Sequence, residues 1–97
     1  MPNVLFVAFA TVSLLVSDAF ELVRVSQAGD YKVAYSLVRV LGKDRKLLVE
    51  TRTDRYGRIT LDLPPGTYQA VTFDGKRTFH FKLTIDGSKT ITRIELK

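Results

Sequence analysis

Histidine, cysteine and clustered carboxylates are the side chains that activate water, attack carbonyls or hold metals, and this 97-residue chain has one His and no Cys. His80 has no second residue of the required type at a motif spacing, so no metal centre or nucleophilic triad is legible. It reads instead as a solvated or partner-contacting side chain on a strand face. The denser chemistry is cationic. Between Arg39 and Arg58, the basic Arg39, Lys43, Arg45, Lys46, Arg52, Arg55 and Arg58 outnumber Asp44, Glu50 and Asp54. Such a stripe suits an acidic glycan, an anionic lipid surface or an acidic partner protein, or else it is a solvated face whose charges block edge pairing. Nucleic acid calls for stacking aromatics interleaved with the cations, and only Tyr56 stands there, which argues against it. Tyr56 with Arg55 and Arg58 at an exposed turn, and His80 apart from them, are therefore the candidate partner contacts. Nothing points to catalysis, a metal or a cofactor; the expected protein is not an enzyme.

The elements that must position these residues are organised around Thr53–Tyr68. Asp54 and Gly57 hold the first and fourth places of a type I turn, expected to close a hairpin. Ile59, Leu61 and Leu63 then alternate with Thr60 and Asp62, the pattern of a half-buried strand. Pro64 and Pro65 end it, and Pro65-Gly66 predicts a type II turn with positive φ at Gly66 before a strand starts at Thr67-Tyr68.

Turn signals recur along the rest of the chain at the spacing of an all-β sandwich, and roughly seven strands fit. Glu21–Ser26 is the first. Gly29-Asp30 turns into a long run Tyr31–Leu41, and Gly42–Arg45 is a polar turn into Lys46–Thr53, where Leu47 and Val49 share a face. Tyr68–Phe73 resists a clean reading, since Tyr68 and Ala70 fall on one face while Val71 and Phe73 lean to both. A bulge or a strand buried on both sides would reconcile them. Asp74-Gly75 is the strongest hairpin signal, of type I′. In Thr78–Ile85, Phe79, Phe81, Leu83 and Ile85 point inward and Thr78, His80, Lys82 and Thr84 outward. Asp86-Gly87 turns again, and Thr90–Leu96 closes the chain with Ile94 and Leu96 inward.

Residues 1–19 form a separate segment. Val4–Val16 is an apolar run broken only by Thr11 and Ser13, too short for a comfortable membrane helix and the length of a signal-peptide core. Ser17-Asp18-Ala19 offers small residues for a cut that would leave Phe20 first, although no Lys or Arg precedes Arg24. If cleaved, the mature form has no membrane span and is secreted, extracellular, at the cell surface or periplasmic. If retained, Val4, Leu5, Phe6, Val7, Phe9, Val12, Leu14, Leu15 and Val16 form an arm that must be buried, as an extra core element or as a donor strand or bundled helix in a neighbouring subunit of a filament or pilus. Residues 20–97 are the sandwich domain. The apolar fraction of 45% supports a folded chain, and the net charge of +5 favours solubility and acidic surfaces. The lack of cysteine means a self-sufficient core or one completed by partner subunits.

The Thr-Asp-x-x-Gly turn at 53–57, the alternating strand and the corner Leu63-Pro64-Pro65-Gly66-Thr67-Tyr68 resemble the carboxypeptidase regulatory-like family and, more loosely, the Cna B-type repeats of collagen adhesins and the transthyretin-like, or prealbumin-like, domains. The resemblance covers about Glu21–Lys97 and implies a seven-stranded antiparallel β-sandwich in which this stretch joins the two sheets. It implies a non-catalytic structural or interaction module binding protein or glycan. The hydroxyisourate hydrolases share the architecture, but they carry several histidines and a Tyr-Arg-Gly-Ser terminus, where this chain ends Ile-Glu-Leu-Lys. Cross-linked adhesin repeats use an Asn or Asp in the last strand, which Thr90–Leu96 lacks, so an internal isopeptide bond is not expected.

Overall fold

The computed structural model describes residues 14–97. These form β1 (Val16–Ser26), β2 (Gly29–Lys32), β3 (Leu37–Leu41), β4 (Leu47–Arg52), β5 (Arg58–Leu63), β6 (Gly66–Phe73), β7 (Thr78–Ile85) and β8 (Ile91–Leu96), with a tight turn at Lys43–Arg45. In the first sheet, β1 pairs antiparallel with β5 through its first half and with β2 through its second. Its other edge takes β8 in parallel, from Ala19 opposite Ile91 to Arg24 opposite Leu96. The second sheet has the order β4-β3-β6-β7, antiparallel throughout. The fold is thus an all-β sandwich of two mainly antiparallel sheets.

Alternation decides which side chains close the space between the sheets. Phe20 and Leu22 of β1, Ile59, Leu61 and Leu63 of β5 and Leu96 of β8 meet Val38 and Val40 of β3, Ala70 of β6, and Phe79, Leu83 and Ile85 of β7. At roughly 1.5–3 kcal/mol for each large apolar side chain buried, this cluster is the chief favourable contribution to folding. Tyr68 is half-buried beside it, and its hydroxyl donates to the Pro64 carbonyl at 2.5 Å, pinning the corner between β5 and β6. Ile59, Leu61, Leu63 and the inward face of β7 lie where alternation placed them.

Several expected elements differ. The first strand begins at Val16 rather than Glu21, because Val16–Glu21 pairs residue by residue with Leu63–Arg58. It therefore runs through the boundary expected between residues 19 and 20. The run Tyr31–Leu41 is two strands, β2 in the first sheet and β3 in the second, and the chain crosses between them through Tyr35 at φ 54. The Asp54–Gly57 turn forms, with the Gly57 N–H donating to the Asp54 carbonyl at 3.1 Å. It does not close a hairpin, because β4 and β5 belong to different sheets. Gly66 opens β6 at φ +157, nearer extended backbone than the roughly +80° of a type II turn. The Asp74 hairpin has a four-residue loop between Phe73 and Thr78 rather than a two-residue I′ turn, because the Asp74 carboxylate accepts from the Lys76 and Arg77 N–H groups. Finally, β6 carries no bulge: its register with β7 is unbroken, Thr72 points inward, and Val71 and Phe73 stand on the outer face.

Candidate functional site

The turn carrying Tyr56 is built by Asp54. Its carboxylate accepts from the Tyr56 N–H at 2.7 Å and the Arg58 N–H at 3.0 Å. These donors, the Arg58 amide foremost, hold the carboxyl below its ordinary range. The guanidiniums of Arg55 and Arg58 lie 4.8 and 5.5 Å from the Tyr56 ring centroid. Arg58 also pairs with Glu21, which Lys32 contacts from the neighbouring strand, and the Lys32 hydrogen bond is the main reason the Glu21 carboxyl sits below its usual value. Tyr35 is exposed nearby, its N–H donating to the Asp54 carbonyl at 3.3 Å. The cations at this end are therefore partly engaged by the ring and by Glu21, and neither Tyr35 nor Tyr56 lines the clefts described next.

His80 stands elsewhere, on the outer face of the second sheet. Antiparallel registers place side chains of that face in rows across the strands: Leu37, Phe73 and Thr78 in one, Glu50, Arg39, Val71 and His80 in the next, and Leu41, Gln69 and Lys82 in a third. Two clefts open along these rows. One, of about 390 Å³, is lined by Leu41, Gly42, Arg45, Gln69, Val71 and His80. The other, of about 220 Å³, is lined by Leu37, Arg39, Val71, Thr72, Phe73 and Thr78. Val71 is common to both, so they form neighbouring halves of one surface depression. Its floor is aliphatic, from half-buried Leu37, Leu41 and Val71, with Phe73 half exposed beside it.

The depression's rim is polar. Arg39 is held against Glu50 at 3.0 Å. Arg45 is presented by the loop joining β3 to β4, which is closed by Gly42 N–H to Lys46 carbonyl at 2.8 Å and Lys46 N–H to Lys43 carbonyl at 3.1 Å. Gln69 and His80 rise from adjacent strands. Planar amide, imidazole and guanidinium groups around an aliphatic floor form a surface that hydrogen-bonds hydroxyls while covering a C–H face. None of these groups is assembled with a nucleophile, and no three His, Cys, Asp or Glu side chains among the described residues are placed to hold a metal ion.

Sequence reasoning named His80, and separately Arg39 and Arg45 within the cationic stripe, but did not bring them together, because Leu41, Gln69, Val71 and His80 are joined only by strand pairing. The one available signal was the apolar pair Val71 and Phe73, which kept the faces of this strand from being assigned. Of the expected assembly arm, residues 4–13 lie outside the described residues; Leu14 and Leu15 are exposed, and Val16 packs against the core as the first residue of β1.

No protein-family model matches the chain, and no curated protein matches it in sequence. Solved structures match in shape. A Pseudomonas aeruginosa protein with a suggested carbohydrate-binding role superposes with a TM-score of 0.59 at 18% identity, over 98% of this chain and 99% of that one. A DUF3823-family protein from Parabacteroides merdae gives a TM-score of 0.54 at 13% identity, over 84% of this chain and 45% of that one. At such identities the likeness bears on the fold alone, and this chain spans less than half of the Parabacteroides merdae protein's length.

Proposed function

We propose that this is a non-catalytic interaction module that holds a saccharide chain in the depression on the outer face of β4-β3-β6-β7. The observation that carries the reading is the pair of clefts meeting at Val71, with an aliphatic floor between Arg45, Gln69 and His80. The suggested role of the Pseudomonas aeruginosa protein of like shape points the same way. We read the chain as a carboxypeptidase regulatory-like module exported by its apolar N-terminal run and working outside the cell or at its surface. β1 supports a leader cut before Val16, since a cut after Ala19 would strip four residues that pair with β5, including buried Asp18, whose carboxylate accepts from the Asp86 N–H at 3.1 Å. Intact mass of native material decides that point. For the binding face, nitrogen-labelled protein is titrated with a panel of soluble oligosaccharides. Amide shifts clustered at Leu41, Gln69, Val71, Phe73 and His80 are expected, whereas shifts confined to Arg55–Arg58, or none with any saccharide, overturn the assignment.

A further inference from the structure

We infer that the cleft selects an acidic saccharide, a hexuronate whose carboxylate is taken by Arg45; this rests on the saccharide reading above and narrows it. Arg45 and His80 are the ionisable side chains lining the larger cleft, and no carboxylate lines it. Arg45 makes no ion pair among the described residues, whereas Arg39 on the same face is matched by Glu50. The cleft therefore presents an uncompensated guanidinium beside the Gln69 amide. Its forked, planar donors suit a carboxylate, which accepts two parallel N–H bonds in one plane.

The backbone supplies a second, independent observation. Asp44 and Arg45 sit at φ 58 and φ 59, with the Lys46 N–H returned to the Lys43 carbonyl, the form of a type I′ turn. The second central place of that turn strongly favours glycine, and a side chain there works against the left-handed conformation. Asp44 suits the first place, since Asp tolerates such backbone, but Arg45 gains nothing local from the second. An arginine held in a costly conformation at the mouth of a cleft, without a partner carboxylate, is explained by a ligand that brings one. The floor of Leu41 and Val71 then receives the C–H face of the sugar ring while the carboxylate reaches Arg45.

The test compares oligogalacturonate with its methyl ester and with a sulfated oligosaccharide of similar length, by calorimetry on the parent chain and on Arg45→Gly. Glycine fits the turn, so the variant is expected to fold at least as stably as the parent, which circular dichroism and thermal unfolding verify. The acid should bind about tenfold more tightly than the ester to the parent, the worth of one charge-assisted pair, and this preference should vanish in Arg45→Gly, which should bind acid and ester alike. Equal affinity for acid and ester, with shifts still at Val71 and His80, overturns acid selection and leaves the saccharide reading standing. Binding of the sulfated chain without the hexuronate overturns the carboxylate assignment. A preference that survives Arg45→Gly overturns the role of Arg45, and no binding of any saccharide removes both readings.

Discussion

The Leu22 N–H donates to the Gly57 carbonyl at 2.7 Å, and the Leu22 carbonyl in turn accepts from the Val33 N–H at 3.0 Å. The middle of β1 is thereby fastened to two sheet-crossing connections, the one before β3 and the one before β5. Gly57 can approach so closely because it lacks a Cβ: one built there at φ +76 would stand 2.7 Å from the Leu22 carbonyl oxygen. Gly57→Ala should therefore destabilise by about 3 kcal/mol. At Gly66 a Cβ would meet nothing nearer than the Tyr68 ring at 3.8 Å, so Gly66→Ala should cost clearly less. Urea unfolding of the two variants checks the order, and equal losses would contradict the close approach at Gly57.

Arg45→Gly should raise stability by about 1 kcal/mol, because it relieves a left-handed arginine on the exposed loop before β4. The gain is read from the shift in denaturation midpoint at unchanged slope. A loss would mean that Arg45 makes stabilising contacts that outweigh its backbone.

Neighbouring residues of β7 should differ sharply. Leu83 is fully buried between the sheets, Phe81 is half-buried against the core, and His80 is exposed on the outer face. Leu83→Ala should cost roughly 2–5 kcal/mol and His80→Ala well under 1 kcal/mol, with Phe81→Ala between them. Thermal unfolding of the three variants gives the ranking, and a His80→Ala loss matching Leu83→Ala would invert the assigned faces.

Acid should weaken the fold through its turns. Asp54 is held below its ordinary value chiefly by the Arg58 N–H, Asp74 chiefly by the Arg77 N–H, and Glu21 chiefly by Lys32. A carboxyl depressed in the folded chain takes up its proton more readily when unfolded. Its contribution is thus complete above its ordinary value and is lost as pH falls through the depressed one. Stability should decline from about pH 5 to about pH 2. Asp54→Asn with Asp74→Asn keeps an oxygen acceptor for the turn amides while removing the titration, so its decline should be shallower. Parallel curves for parent and double variant would assign the acid response to other groups.

The sequence by itself determined what one strand or one turn can express. The period-two patterns of Ile59–Leu63 and Thr78–Ile85 settled which side chains face the core, since neighbours in a strand point oppositely whatever the strand pairs with. Asp54 marked its turn because the Asp side chain bonds amides within four residues. Tertiary structure decided everything that depends on a partner strand. Nothing local distinguishes a turn that closes a hairpin from one that crosses between sheets, so the role of Asp54–Gly57 awaited the pairing of β5 with β1. Nor does local pattern split Tyr31–Leu41, whose halves belong to different sheets, or start the first strand at Val16 rather than Glu21. The outer-face depression is of the same kind. Leu41, Gln69 and His80 lie far apart in the chain, and only the registers of β3 with β6 and β6 with β7 set them around one cleft.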